Sequence, residues 1–205
     1  MDYLALILAV LLVDLLALIS PGPNFILVTS AAVSQTRGHA LSTACGIAMG
    51  SLIWASASAL GIASVLEVFP VLGLILKGVG VIYLIYLGIR LLRSQGVEPK
   101  AAQKTSQSLT TGFWRGMLVN LTNPKSAAYY ASVFAAFLTP DMPLWVLAVL
   151  IGAIAAMSLA WHGILAVGFS TGPVRARYIA ASKYIDRACG GILICLGLRL
   201  AWDAR

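Results

Sequence analysis

The residues best suited to chemistry in this sequence are polar or ionisable groups set inside apolar runs. One cluster is Ser20, Pro21, Gly22, Pro23 and Asn24, in "ISPGPNFILV" at 19–28; another is Asn120, Thr122, Asn123, Pro124 and Lys125, in "VNLTNPKSA" at 119–127. Single ionisable residues also lie within apolar runs: Asp14, Lys77, and His162 in "SLAWHGILA". Pro21 and Pro23 remove two N–H donors and block a continuous helix. Gly22 adds backbone freedom, and Pro23 suits the first position of a restarted helix. From Asn24 onward that helix presents free N–H groups and the positive end of its dipole, where a carboxylate binds well. Pro124 creates a second such end, with Lys125 in its first turn. A cation there opposes the dipole, so a substrate carboxylate or a protein acid is expected to offset it. An ionisable group within hydrocarbon is a functional candidate by default. Asp14 is the one acid deep in a run, suited to carrying a coupling proton or balancing a buried cation. His162 has the chemistry of a proton relay, with a hydrogen bond to a neighbouring helix as the plainer reading. Lys77 either pairs with an acid or snorkels to an interface.

These groups need elements that hold them at membrane depth. Of 205 residues, 60% are hydrophobic and 10% charged, against roughly 25% charged in soluble domains. Runs of roughly 20 apolar residues match a hydrocarbon core about 30 Å thick. The sequence therefore predicts an all-α integral membrane protein with six transmembrane helices: Tyr3 to about Ser34, Leu41 to Val65, Val68 to Leu92, Gly112 to Leu138, Leu144 to Phe169 and Tyr184 to Trp202. Spans one and four are broken at their prolines. No Lys or Arg precedes Arg37, so the first span is expected to be retained rather than cleaved as a signal peptide. The chain reads as a single transport domain over 1–205, with halves of about 1–95 and 110–205 and a polar linker at 93–111.

The halves resemble each other. "YLGIRLL" at 86–92 ends span three and "CLGLRLA" at 195–201 ends span six. An odd number of spans per half forces the second copy upside down, the inverted-repeat arrangement of secondary transporters, whose sites lie where broken helices meet. Depth agrees. Asn24 to Ser34 and Gly112 to Thr122 each span ten residues, roughly 15 Å of helix measured from the same face. Both breaks then fall near the midplane. Arg37, Arg93, Lys100, Lys104, Arg175, Arg177 and Lys183 all fall in alternate loops, while the others hold only Glu67 and Asp141. Basic loops stay cytoplasmic, which puts both termini outside; Arg199 and Arg205 count against this. The net charge of +7 is mostly that bias and not a nucleic-acid footprint.

The two breaks and Lys125 suggest a dock for a carboxylate, with unwound carbonyls near Ser20 or Leu121 receiving an amino group. Gly46 and Gly50 form a GxxxG pair, and Gly78, Gly80, Gly190 and Gly191 thin their spans for close packing. Cys45, Cys189 and Cys195 read as buried small residues without a CxxC pair. A membrane thiol redox carrier would need paired cysteines beside the breaks, and spans one and four have none. A heavy-metal exporter would want clustered ligands, but His39, His162 and the cysteines are scattered. No HExxH or similar hydrolase motif is present, so an enzyme is not expected. No cofactor or bound metal is implied.

"SPGPNFILVTSAAVSQTRGHALSTACGIAMG" at 20–50, "LKGVGVIYLIYLGIRLL" at 76–92 and "VNLTNPKSA" at 119–127 resemble, in order, the signature stretches of the LysE/RhtB family of bacterial amino-acid exporters. The resemblance implies a multi-pass protein of the bacterial inner membrane that exports amino acids or close derivatives, driven by proton exchange. That family includes lysine, arginine, threonine, homoserine, leucine and cysteine exporters, so the substrate does not carry over. Asp14 lies outside the matched stretches. A homodimer is compatible with the chain, and its partners are otherwise the substrate, protons and lipid.

Overall fold

Leu4, Leu8, Leu12 and Leu15 of the first helix recur every three or four residues and are all exposed, while Val10, Val13, Asp14 and Leu16 of the same helix are buried. Such an outward apolar face is what a lipid-facing helix presents. The same pattern recurs along the fourth helix at Ile75, Val79, Ile82, Tyr86 and Ile89. In a computed structural model, residues 3–68, 70–96, 108–139 and 142–203 are described. Among them are eight helices: α1 Tyr3–Ile19, α2 Pro23–Ser34, α3 Arg37–Val68, α4 Pro70–Leu92, α5 Leu109–Leu121, α6 Pro124–Phe137, α7 Leu144–Gly168 and α8 Gly172–Asp203. The described chain is all-α. Two stretches, Arg37–Ala63 of α3 and Leu144–Gly168 of α7, are each long and apolar enough to cross a membrane, and α1 with α2 qualifies as a third, bent by 54° at the break.

Helix α3 packs on α5 and α7, and α4 packs on α6 and α8. Glycines set the closest approaches. A Cβ at Gly46 would sit 1.9 Å from the Phe113 carbonyl oxygen, and one at Gly116 would sit 2.2 Å from that of Thr43. Stripes of small residues on both α3 and α5 thus bring the two backbones into contact. In the α4–α8 crossing the contacts are reciprocal. A Cβ on Gly88 would meet Ile194 at 2.6 Å, and one on Gly197 would meet Ile85 at 2.8 Å. Gly80 and Gly190 are closely approached as expected, by Ser132 and by Gly88. Gly78 and Gly191 are not: nothing lies within 4 Å of a Cβ built there.

Several expected boundaries move. Ser108 caps α5 by accepting from Thr111 N at 3.2 Å, so 109–111 are helix rather than linker. Helix α8 begins at Gly172, well before the apolar run at Tyr184, because apolarity marks hydrocarbon whereas a helix continues into water. Of the cysteines only Cys189 is buried; Cys45 and Cys195 are exposed, since the outer face of a membrane helix accepts apolar residues as readily as its core. Lys100, Lys104, Asp141 and Arg205 lie outside the described residues, as do the side chains of Glu67, Lys77 and Arg175.

Candidate functional site

Because α1 stops at Ile19, its last carbonyls lose the N–H partners that a continuous helix would supply. Within a membrane they must be satisfied by protein or water. Lys125 at the start of α6 and Tyr178 of α8 share this. The Lys125 Nζ donates to Ser20 Oγ at 3.0 Å, to the Ser20 carbonyl at 3.3 Å and to the Ala17 carbonyl at 3.4 Å. Tyr178 of α8 donates its hydroxyl to the Ile19 carbonyl at 3.0 Å, and its ring stacks on Phe25 of α2. The negative end of the α1 dipole thus offsets part of the Lys125 charge within the protein, beside an electrostatic interaction with Asp186. The two breaks meet through this one side chain.

Their amino-terminal ends differ. At α6, Asn123 Oδ1 accepts from Lys125 N at 3.0 Å, closing the cap, while Tyr83 donates to the Lys125 carbonyl at 3.3 Å. At α2 the capping position is Gly22, in extended conformation, with Pro23 in the first turn and no side-chain cap. Asn24 Oδ1 is buried there without a partner. The uncapped positive end is thus that of α2.

Two cavities adjoin the breaks. The larger, of about 960 Å³, is walled by Ser20 to Pro23, by Ile26, Thr29, Ser30 and Val33 of α2, by Arg90, Arg93 and Ser94 after the middle of α4, by Asn123 to Lys125, and by Asp186 of α8. The smaller, of about 50 Å³, is lined by Asp14, Asn24, Ser51, Ser126, Tyr129, Tyr130 and His162 among others. That is room enough for water. Ser20, Gly22, Asn123 and Lys125 line both, so Lys125 stands in the partition. Asp14 is 1% exposed. It interacts with Tyr129, but both its oxygens and the Tyr129 hydroxyl fall short of hydrogen-bond geometry.

Three candidates sit differently from expectation. Asn120 lines neither cavity. Its Nδ2 donates to the Ile47 carbonyl at 2.8 Å and to Ser51 Oγ at 3.0 Å, fastening α5 to α3. Thr122 is exposed and turns its hydroxyl back onto the Leu118 carbonyl at 2.7 Å. His162 finds its partner within its own helix, with Nδ1 2.8 Å from the Ser158 carbonyl, and Ser158 Oγ lies 3.0 Å from Ser51 Oγ on α3. Sequence reading missed Tyr178 and Asp186. Asp186 is 1% exposed and accepts from Ser94 Oγ, yet in "KYIDRA" it reads as one more charge at a span edge. The carbonyl of Ser20, expected to receive an amino group, is held by Lys125.

Helices that face lipid, two proline breaks joined near a cavity, and charged side chains lining it define a membrane transporter. The family model of LysE type translocators matches residues 15–204, and the chain belongs to that family. Its members are transporters, not enzymes. The chain is similar to the threonine efflux protein of Escherichia coli (strain K12), 31% identical over 201 residues, covering 96% of this chain and 98% of that protein. It is 32% identical over 202 residues to the threonine efflux protein of Salmonella typhi, covering 96% and 98%. The leucine efflux protein of Salmonella choleraesuis (strain SC-B67) is 32% identical over 124 residues, 60% of this chain and 58% of that protein. No solved structure matches the chain.

Proposed function

We propose that the chain exports amino acids or close derivatives across the bacterial inner membrane in exchange for protons. The observation that carries this reading is Lys125, which joins the two breaks and stands between the larger cavity and the inner polar chamber. The substrate carboxylate docks against the uncapped start of α2, beside Lys125 and Asn123, with Asn24 facing the smaller chamber behind. Two converging positive features favour an anion there: the free first-turn amides of α2 and one ammonium. A volume of 960 Å³ lies within the range of roughly 300–1,000 Å³ for small-molecule sites. The relatives named for threonine and leucine efflux support an amino acid as the substrate.

In this reading α1 with α2 and α5 with α6 are the broken spans, and α3, α4, α7 and α8 are the other four, with the second half inverted. The reciprocal Gly88–Ile194 and Gly197–Ile85 contacts support it, because a two-fold axis pairs each residue with the equivalent of its partner. With both termini outside, the larger cavity opens towards the cytoplasm, since its walls run to Val33 and Arg93 beside the basic loops. Asp14 carries the exchanged proton in the inner chamber. A metal-exporter reading has less support: among the described residues no three His, Cys, Asp or Glu side chains gather. Efflux of preloaded, labelled amino acids, tested singly, checks the function. Export of at least one, faster with an inward proton gradient, is expected; export of none overturns it.

A further inference from the structure

We propose that Asp186 accepts the α-ammonium of the amino acid held in the larger cavity, so that Lys125 and Asp186 read a zwitterion from its two ends. This rests on the amino-acid reading above. Among the described residues Asp186 is the one acid lining that cavity, where Arg90, Arg93 and Lys125 are the cations. Its Oδ2 accepts from Ser94 Oγ, while Oδ1 is buried with no partner. A buried carboxylate oxygen left unpaired is costly, and a charge-assisted donor is the partner it lacks.

The acid is also held in place before any substrate arrives. Ser94 Oγ accepts from Gly96 N at 3.0 Å, which directs its own proton to Asp186. Gly96, at φ 86°, lies so close to Ser182 that a Cβ would meet its Oγ at 2.6 Å. That left-handed turn, which favours glycine, seats Ser94 over α8. Lys125 and Asp186 interact electrostatically, yet the Lys125 hydrogen bonds go to α1 and not to Asp186. A zwitterion placed between them satisfies both. Of the competing carbonyls, that of Ser20 is engaged by Lys125 and that of Ile19 by Tyr178. Asp14 lines only the smaller cavity, not the larger one.

The test uses the purified full chain in liposomes and measures counterflow of labelled L-threonine against 2,3-dihydroxybutanoate, which replaces the ammonium by a hydroxyl. If L-threonine does not move, L-leucine and 2-hydroxy-4-methylpentanoate serve instead. Wild type should prefer the amino acid by about thirtyfold or more, and Asp186→Asn should bring the ratio to within about threefold of unity. Lys125→Met, which acts on the carboxylate end, should keep the ammonium preference. If Asp186→Asn is not recovered as monodisperse protein, Asp186→Glu replaces it, and the ratio should fall severalfold because the carboxylate is displaced. An unchanged ratio in the recovered variant overturns the role of Asp186 while leaving the exporter reading intact. Failure of wild type to move any of the twenty amino acids overturns both.

Discussion

Replacing Lys125 by Met removes the ammonium but keeps an unbranched stem of similar length. Wild-type Lys125 holds Ser20 Oγ at 3.0 Å and two carbonyls at 3.3 and 3.4 Å. Good charge-assisted N–H···O bonds run to about 2.7–2.9 Å, so the longer two are weak and readily exchanged for a carboxylate. Loss of one charge-assisted contact to substrate is therefore expected to cost about 1.5–3 kcal/mol, roughly ten- to a hundredfold in affinity. The same ammonium ties α1 to α6, so Lys125→Met should also lower the melting temperature, because the Ala17 and Ser20 carbonyls lose their donor. Counterflow of an amino acid against its amide separates the two effects. Wild type should prefer the free acid strongly, and the variant should lose most of that preference even at temperatures where it remains folded. Equal preference in both proteins would refute the reasoning: Lys125 would then be a structural strut, and the carboxylate would bind elsewhere.

Asp14→Asn should leave the melting temperature equal or higher, since it removes a buried carboxyl without formed hydrogen bonds, yet make efflux insensitive to an imposed pH gradient; unchanged pH dependence would reduce Asp14 to a structural role. Tyr178→Phe strips the Ile19 carbonyl of its donor and should destabilise the protein by about 1–3 kcal/mol in thermal melts, with substrate preference unaltered. Gly46→Val must push α3 off the Phe113 carbonyl and should abolish accumulation of folded protein, whereas Gly152→Ala, with open space at its Cβ, should accumulate normally. Reporter fusions near the carboxyl terminus and within 95–108 should report opposite sides of the membrane, with the former outside.

What could be read from sequence was what local chemistry fixes. Pro21, Pro23 and Pro124 cannot sit within an unbroken helix, so both breaks were legible, and equal ten-residue depths foretold that they would be close. What could not be read depends on which faces meet. Tyr178 reaches Ile19, 159 residues away, only because α8 starts early and runs past the break. Asp186 reaches the cavity through the same packing. That Lys125 also reaches the Ala17 and Ser20 carbonyls could not be read, because carbonyls freed by a break carry no sequence signature. Thr122 shows the reverse case: it neighbours a break in sequence, yet its position on the helix end turns it outward.

If this cavity carries amino acids out of the cell, the transport is measurable in living cells. The most direct measurement is efflux from cells that lack their own exporters, loaded with dipeptides so that internal amino acids rise, with and without this chain. Expression should speed loss of threonine, leucine or another small amino acid, and dissipating the proton gradient should slow that loss. Identical efflux of all twenty amino acids with and without the chain would contradict amino-acid export.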